Sequence, residues 1–334
     1  MKRRDFIAYL AGAAISLGAA NAQQPVKMRR IAIVSPATKV ADINASHWFY
    51  GPFFKELSRH GFVEGQNLEV ERYFGEGRLE HYADLARDVV GRRPDLILAT
   101  SGPLALAFKA ATTTIPIVAI TADPIARGLV SSLARPDGNI TGVSGDAGFE
   151  FYGKVLELLA EATPRLSRVG YLTSQPYWEL STSSAEAVRT AARRAGFSLI
   201  SILLGTTVND AAYQRAFDSL AQDRVDGLIV SDESEHFPHR VMLVELVAKS
   251  RIPAIYPFRQ LVDAGGLMSY SSDVRDFAPT LATQVAEILN GTKLRDIPFQ
   301  QPTKFKLVIN LKTAKALGLQ LPATLLAQAD EVIE

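Results

Sequence analysis

The stretch DLILATSGPLALAFKAAT, Asp95 to Thr112, decides how the chain is read. It runs as strand, polar turn and helix. Asp95 to Ala99 is a short apolar run of the kind a sheet buries on both faces. Ser101, Gly102 and Pro103 then bring an N-cap hydroxyl, a residue that permits close approach, and a first-turn proline. Such a turn leaves free backbone N–H groups pointing beyond the carboxyl end of the strand, where a small ligand can accept from them.

Working outward, Arg30 to Ser35 reads as a buried strand, Phe49 to His60 as a helix ended by Gly61, Leu68 to Tyr73 as a more exposed strand, and Glu80 to Gly91 as a helix. After the opening stretch come a strand at Pro116 to Ile120, the turn Pro136-Asp137-Gly138-Asn139 and a strand at Ile140 to Ser144. The same order then returns with matching punctuation. Arg30-to-Ser35 is answered by Arg168-to-Thr173, Gly61-Phe62 by Gly196-Phe197, Asp95-to-Leu98 by Asp226-to-Val230, and Ile115-to-Ile120 by Ile252-to-Ile255. A repeat of this kind means two β-α-β-α-β-α-β halves of one design.

Alternating buried strands and helices predict an α/β fold with parallel sheets covered on both faces. Ligands of such sheets bind outside the strand carboxyl ends, where strand order reverses. Two lobes facing each other by those ends make one cleft. The strand at Gly266 to Ser271 and the helix from Phe277 to Asn290 carry the chain back across a hinge, with a short final strand from Lys306. The expected division gives 28–144 plus about 273–298 to an N-terminal lobe, and 145–272 plus about 299–334 to a C-terminal lobe.

Composition narrows the function. A chain of 334 residues exceeds what one core usually serves, and 36 Lys+Arg against 35 Asp+Glu leave no basic surplus for nucleic acid. The absence of cysteine excludes disulfides, thiolate nucleophiles and Cys-ligated metals. At the N-terminus, Lys2, Arg3 and Arg4 form a basic start, Phe6 to Leu17 a short apolar segment, and Ala20-Asn21-Ala22 a cleavage signal. Residues 1–22 read as an export signal peptide, twin-arginine-like through Arg3-Arg4-Asp5-Phe6-Ile7, with an ordinary Sec signal as the other reading. Cleavage after Ala22 removes those three cations together with Asp5, taking the formal charge from +1 to −1. The expected location is the periplasm. An export signal over residues 1–28 leaves no helix-turn-helix for a repressor with the same two-lobed core.

AQQP at Ala22 to Pro25 behind the twin-arginine start, FVEGQNLEVE at Phe62 to Glu71, KAATTTIPIV at Lys109 to Val118, and PTKFKLVINLKTAKALGLQLPATLLAQADEVIE at Pro302 to Glu334 carry a family resemblance. Together they resemble the ABC-transporter substrate-binding proteins of the tryptophan/tyrosine-binding type, over essentially the whole mature chain. The resemblance implies a type I periplasmic binding protein fold: two Rossmann-like lobes, three crossovers, and a solute captured between them by hinge closure. It implies as partners a small solute and a membrane permease, with the protein acting as a monomer, without cofactor and without catalysis. A periplasmic subunit reporting occupancy to a membrane kinase is the alternative.

Candidate contacts sit at strand ends. Ser101 and Gly102 offer a hydroxyl and a helix N-terminus to a ligand carboxylate. Ser35 and Thr173 end the two corresponding first strands. Thr121 and Asp123 follow the fourth strand of the first half, Asp123 either pairing with an ammonium or simply initiating a turn before Pro124. Asp232 lies just past the strand ending at Val230. Tyr256 and Phe258 follow the fourth strand of the second half, while Trp48 and Trp178, the latter beside Tyr177, fall in loops after the first strands; these aromatics favour a solute with a ring. The run Asp232 to His239 lacks the H-E-x-x-H arrangement of a metal site and reads as a solvated polar loop with a helix start at Pro238. Gly142-Val143-Ser144-Gly145 falls short of a nucleophile elbow, and no P-loop or dinucleotide fingerprint is present.

Overall fold

The computed structural model describes residues 27–145, 149–180 and 182–334. The export signal read at 1–22 lies outside them. The first half comprises β1 (Arg29–Ser35), α1 (Tyr50–Arg59), β2 (Leu68–Phe74), α2 (Tyr82–Gly91), β3 (Leu96–Ala99), α3 (Gly102–Ala111), β4 (Ile117–Thr121) and β5 (Ile140–Ser144). The second comprises α4 (Phe149–Ala162), β6 (Arg168–Thr173), α5 (Gln175–Leu180), α6 (Thr182–Ala195), β7 (Ser198–Leu203), α7 (Asp210–Asp223), β8 (Gly227–Val230), α8 (Arg240–Ser250), β9 (Ala254–Tyr256), α9 (Arg259–Asp263) and β10 (Met268–Ser271). The chain then continues through α10 (Phe277–Leu289), β11 (Lys306–Asn310), α11 (Leu311–Ala316), α12 (Ala323–Gln328) and β12 (Glu331–Ile333).

Five strands form a parallel sheet in the order β2-β1-β3-β4-β5, and seven form a second in the order β12-β11-β10-β9-β8-β6-β7. Without β11 and β12 the second order is the first one over again, and only the β10–β11 pairing is antiparallel. Each sheet is buried on both faces. One face of the first packs α1 and α10 through Phe53, Leu57, Leu281 and Val285, and the other packs α2 and α3 through Val89, Leu104 and Phe108. The second sheet is covered by α7 and α8 on one side and by α4, α6 and α11 on the other. Hence β3 and β8, central in both, are buried along their whole length, whereas edge strand β2 is largely half-buried.

The matched residues of the two halves do matched work. The Asp95 carboxylate accepts from the Arg30 N–H at 2.8 Å, and Asp226 accepts from the Arg168 N–H at 2.9 Å, each tying the third strand to the start of the first. Pro116 and Pro253 each offer a carbonyl to the neighbouring strand, to Ile97 and to Leu228. Gly61 and Gly196 follow α1 and α6 at φ +85° and +78°, the left-handed conformation that a side chain resists.

Candidate ligand-binding site

A cavity of about 700 Å³ lies between the carboxyl ends of the two sheets. Strand order reverses between β1 and β3 in one sheet and between β6 and β8 in the other, so each half contributes the loops of its switch point.

The first-lobe wall is built of hydroxyls and backbone N–H groups. Ser35 ends β1 and its Oγ accepts from the Thr38 N–H at 2.9 Å. Ser101 caps α3, its Oγ accepting from the Leu104 N–H at 3.5 Å, and Pro103 stands in the first turn. Gly102 packs closely there: a Cβ would stand 2.9 Å from Thr121 Oγ1 and 3.0 Å from an Arg127 guanidinium nitrogen, so those side chains would have to shift. Tyr50 closes the floor beside the hydroxyls of Ser35, Thr38 and Thr100, and burial raises its phenol above the ordinary value.

The second-lobe wall holds carboxylates and rings. Burial there is the opposite of the solvated loop expected for Asp232 to His239: Glu233, Glu235 and His236 are 1%, 3% and 0% exposed, and the helix begins at Arg240 rather than Pro238. Glu233 Oε1 accepts from the Thr173 hydroxyl (2.8 Å), the Ser174 N–H (2.8 Å) and the Ser231 hydroxyl (2.7 Å). Ser231 has spent its only proton on Glu233, so it accepts from His236 Nε2–H at 2.9 Å, and Tyr213 donates to His236 Nδ1 at 2.5 Å. Burial and the nearby His239 hold that imidazole down at about 3, neutral at ordinary pH. Burial and the Glu233 charge push the Glu235 carboxyl up to about 7, against the Tyr82 hydroxyl that donates to it across the lobes at 2.8 Å. Glu233 is also raised by burial, with its three donors opposing. Phe258 stacks on Phe237 at 4.6 Å, and Phe237 meets Trp48 of the first lobe at 5.5 Å, a run of three rings spanning the cleft.

Of the residues expected from sequence, the cavity brings together Ser35, Trp48, Ser101, Gly102, Thr121, Asp232 and Phe258. Four are placed elsewhere. Thr173 is fully buried beneath Glu233. Tyr256 lies inside the second core and packs so closely on Gly266 that a Cβ there would sit 2.6 Å from its ring. Asp123 is outside the cavity lining, and its Oδ1 accepts from the Ala126 N–H at 2.9 Å in the turn. Trp178 sits on α5 against Tyr171 and under the Arg189 guanidinium at 3.9 Å, because neighbouring helix positions diverge by about 100°. Its neighbour Tyr177 is the one turned to the cavity, donating to Asp232 at 2.5 Å beneath Arg127 of the first lobe. Phe237, Glu233 and Glu235 also line the cavity and were hidden in a run that looked merely polar. Among the described residues no group of three or more His, Cys, Asp or Glu is placed to hold a metal ion.

Two doubly wound lobes with one cleft between their switch points define a two-lobed solute-binding protein. Residues 40–333 match the family described as ABC transporter substrate binding protein, and the chain belongs to that family. Its function is therefore binding rather than catalysis. A tyrosine-binding protein of Clostridioides difficile is 27% identical over 272 residues, 80% of this chain and 76% of that one. A conserved domain protein from Vibrio cholerae superposes with a TM-score of 0.80 at 25% identity, over 92% of this chain and 100% of that one. A Streptococcus pneumonia ABC domain solved with L-Trp does so at 0.79 and 23% identity, with the same coverage. No helix among the described residues is long and apolar enough to cross a membrane.

Proposed function

We propose that this chain is the periplasmic receptor of an ABC importer and captures an amino-acid-like solute with an aromatic ring by closing its two lobes. The observation that carries the reading is the cavity itself. One wall ends in hydroxyls and the N-terminus of α3, suited to a carboxylate, while the Trp48, Phe237 and Phe258 rings suit a planar apolar group. The similar tyrosine-binding protein and the similar structure holding L-Trp support the same solute class.

Closure on this reading is driven by a solute that touches both lobes and so binds the closed form better. The moving bodies are 28–144 with about 273–298, and 145–272 with about 299–334. The closed form is what a membrane permease would recognise, and residues 1–22, cleaved after Ala22, would deliver the chain to the periplasm. Titration calorimetry with L-tyrosine and L-tryptophan, paired with solution scattering, tests this. Saturable binding accompanied by compaction is expected; silence toward aromatic amino acids, with no compaction by any solute that does bind, would refute it.

A further inference from the structure

The second-lobe wall buries two carboxylates, Glu233 and Glu235, two residues apart and both on the cavity. Among the described residues neither is paired with a lysine or arginine. The imidazole of His236 stands 4.0 Å from Glu233, and its two nitrogens are committed to Ser231 and Tyr213 in the neutral form. Glu233 Oε1 collects three donors while its Oε2, equally buried, has no hydrogen-bond partner among the described residues. Other ionisable groups that sense the pair are Asp232 from the same loop, Tyr213 from α7 and Tyr82 from the first lobe, with His239, Asp210 and Glu80 one contact further out, beside His236, Tyr213 and Tyr82. Lys39 and Arg240 line the cavity as exposed side chains and bridge to neither carboxylate. Unneutralised carboxylates in such a place are costly, so a closed cleft calls for a positive charge from outside the chain.

We propose that Glu233 and Glu235 form the subsite for a cationic group of the solute, a primary ammonium, and that a solute lacking one is captured only with a proton taken up in its place. The proposal rests on the reading of the cavity as the solute site, and it adds a charge requirement that the rings and hydroxyls do not impose. The Tyr82 hydroxyl makes the subsite part of closure, since it reaches Glu235 from the opposite lobe and is in place only when the lobes meet. A carboxyl raised to about 7 in the closed cleft, against an ordinary value near 4.5 when open to water, holds a proton that the open form lacks within that window. An ammonium bound there keeps the pair ionised and removes the uptake.

The experiment is calorimetry on the wild-type protein with L-tryptophan and L-tyrosine, each against its deaminated acid, in two buffers of different ionisation enthalpy. The amino acids are expected to bind with no net proton uptake and with affinity flat from about pH 5 to 8. The deaminated acids are expected to take up close to one proton near pH 6 and to weaken by up to about tenfold per pH unit from pH 5 to 7, levelling above. In Glu235→Gln, the amino acids should lose about tenfold or more, while the deaminated acids bind without uptake and without pH dependence. Equal affinity of acid and amino acid with no uptake in either overturns the subsite and leaves the cavity reading standing. So does an equal loss of both solutes in Glu235→Gln with proton counts unchanged. Failure of all four solutes to bind overturns the cavity reading and the subsite with it.

Discussion

Ser35 and Thr173 close the first strand of each half, and only Ser35 reaches the cavity. The strands are equivalent; the connections two strands later are not. Between β3 and α3 stand only Thr100 and Ser101, so the helix N-terminus faces the cleft directly. Between β8 and α8 run Ser231 to His239, long enough to fold back over the strand ends and lay Glu233 on Thr173. The sheets and their Asp95 and Asp226 ties keep the repeat, while the two walls acquire opposite polar chemistry, donors on one side and buried acceptors on the other, with rings from both. A symmetric scaffold thereby gains a cleft suited to a solute with unlike ends.

The sharpest way to break this contrast is Glu233→Ala. It strands the Thr173 and Ser231 hydroxyls and the Ser174 N–H in a buried place, and losing their shared acceptor is expected to cost about 3 kcal/mol. Glu233→Gln keeps an acceptor oxygen and discards the charge, so urea denaturation should show it losing less than about 1 kcal/mol. If the two variants fall equally, the loop is held by the charge and not by its hydrogen bonds. Next in size is Tyr82→Phe, which deletes the hydroxyl joining the walls at Glu235. A hydrogen bond to a carboxylate is worth roughly 1.5–3 kcal/mol, so solute affinity should fall about tenfold or more. Solution scattering should show less compaction on solute binding than in the wild type.

How far these walls were legible beforehand depends on what sets each residue's direction. Ser35, Ser101, Gly102, Thr121 and Asp232 follow directly from where apolar strands end, since a doubly wound sheet puts its ligand there. Choosing Tyr177 over Trp178 needs the phase of α5, and choosing Phe258 over Tyr256 needs the point where β9 stops, at Tyr256, so that Phe258 falls in the turn before α9; local patterns state neither. The carboxylate loop resists a reading from sequence for a stronger reason. A polar run looks solvated unless its partners are known, and here they come from distant chain: Tyr82 lies 153 residues from Glu235, and Thr173 lies 60 from Glu233. The leader expected at residues 1–22 falls outside the described residues.

On the first wall the counterpart test is Ser101→Ala. Its cap hydrogen bond is long, 3.5 Å, so the expected stability loss sits at the low end for a cap, about 0.5 kcal/mol. Affinity is the discriminating readout. A solute carboxylate held by the Ser101 hydroxyl as well as by the α3 N-terminus should bind several-fold more weakly to the variant. Unchanged affinity would make Ser101 a cap and nothing more, and would leave the second wall to carry recognition.

The smallest expected effect is a near-cancellation in the pH dependence of stability. In the closed chain Glu235, raised to about 7 from an ordinary 4.5, holds a proton across that window that the unfolded chain lacks, so its contribution grows on acidification from 7 to 4.5. His236, lowered to about 3 from 6.5, does the reverse: the unfolded chain holds the extra proton, and stability is lost as pH falls from 6.5 toward 3. Where the windows overlap, the folded and unfolded chains bind equal numbers of protons at these two sites, and their joint contribution is level. Below about pH 4.5 only the histidine term remains and stability drops. Urea midpoints measured against pH for the wild type and for Glu235→Gln, each held closed by a saturating deaminated aromatic acid, check this by difference. The variant should already decline through the range where the wild type is level, because it keeps the histidine's penalty without the carboxyl's offset. Parallel profiles would mean that Glu235 does not take up a proton on folding, and the second wall would then be as indifferent to pH as the hydroxyl wall opposite.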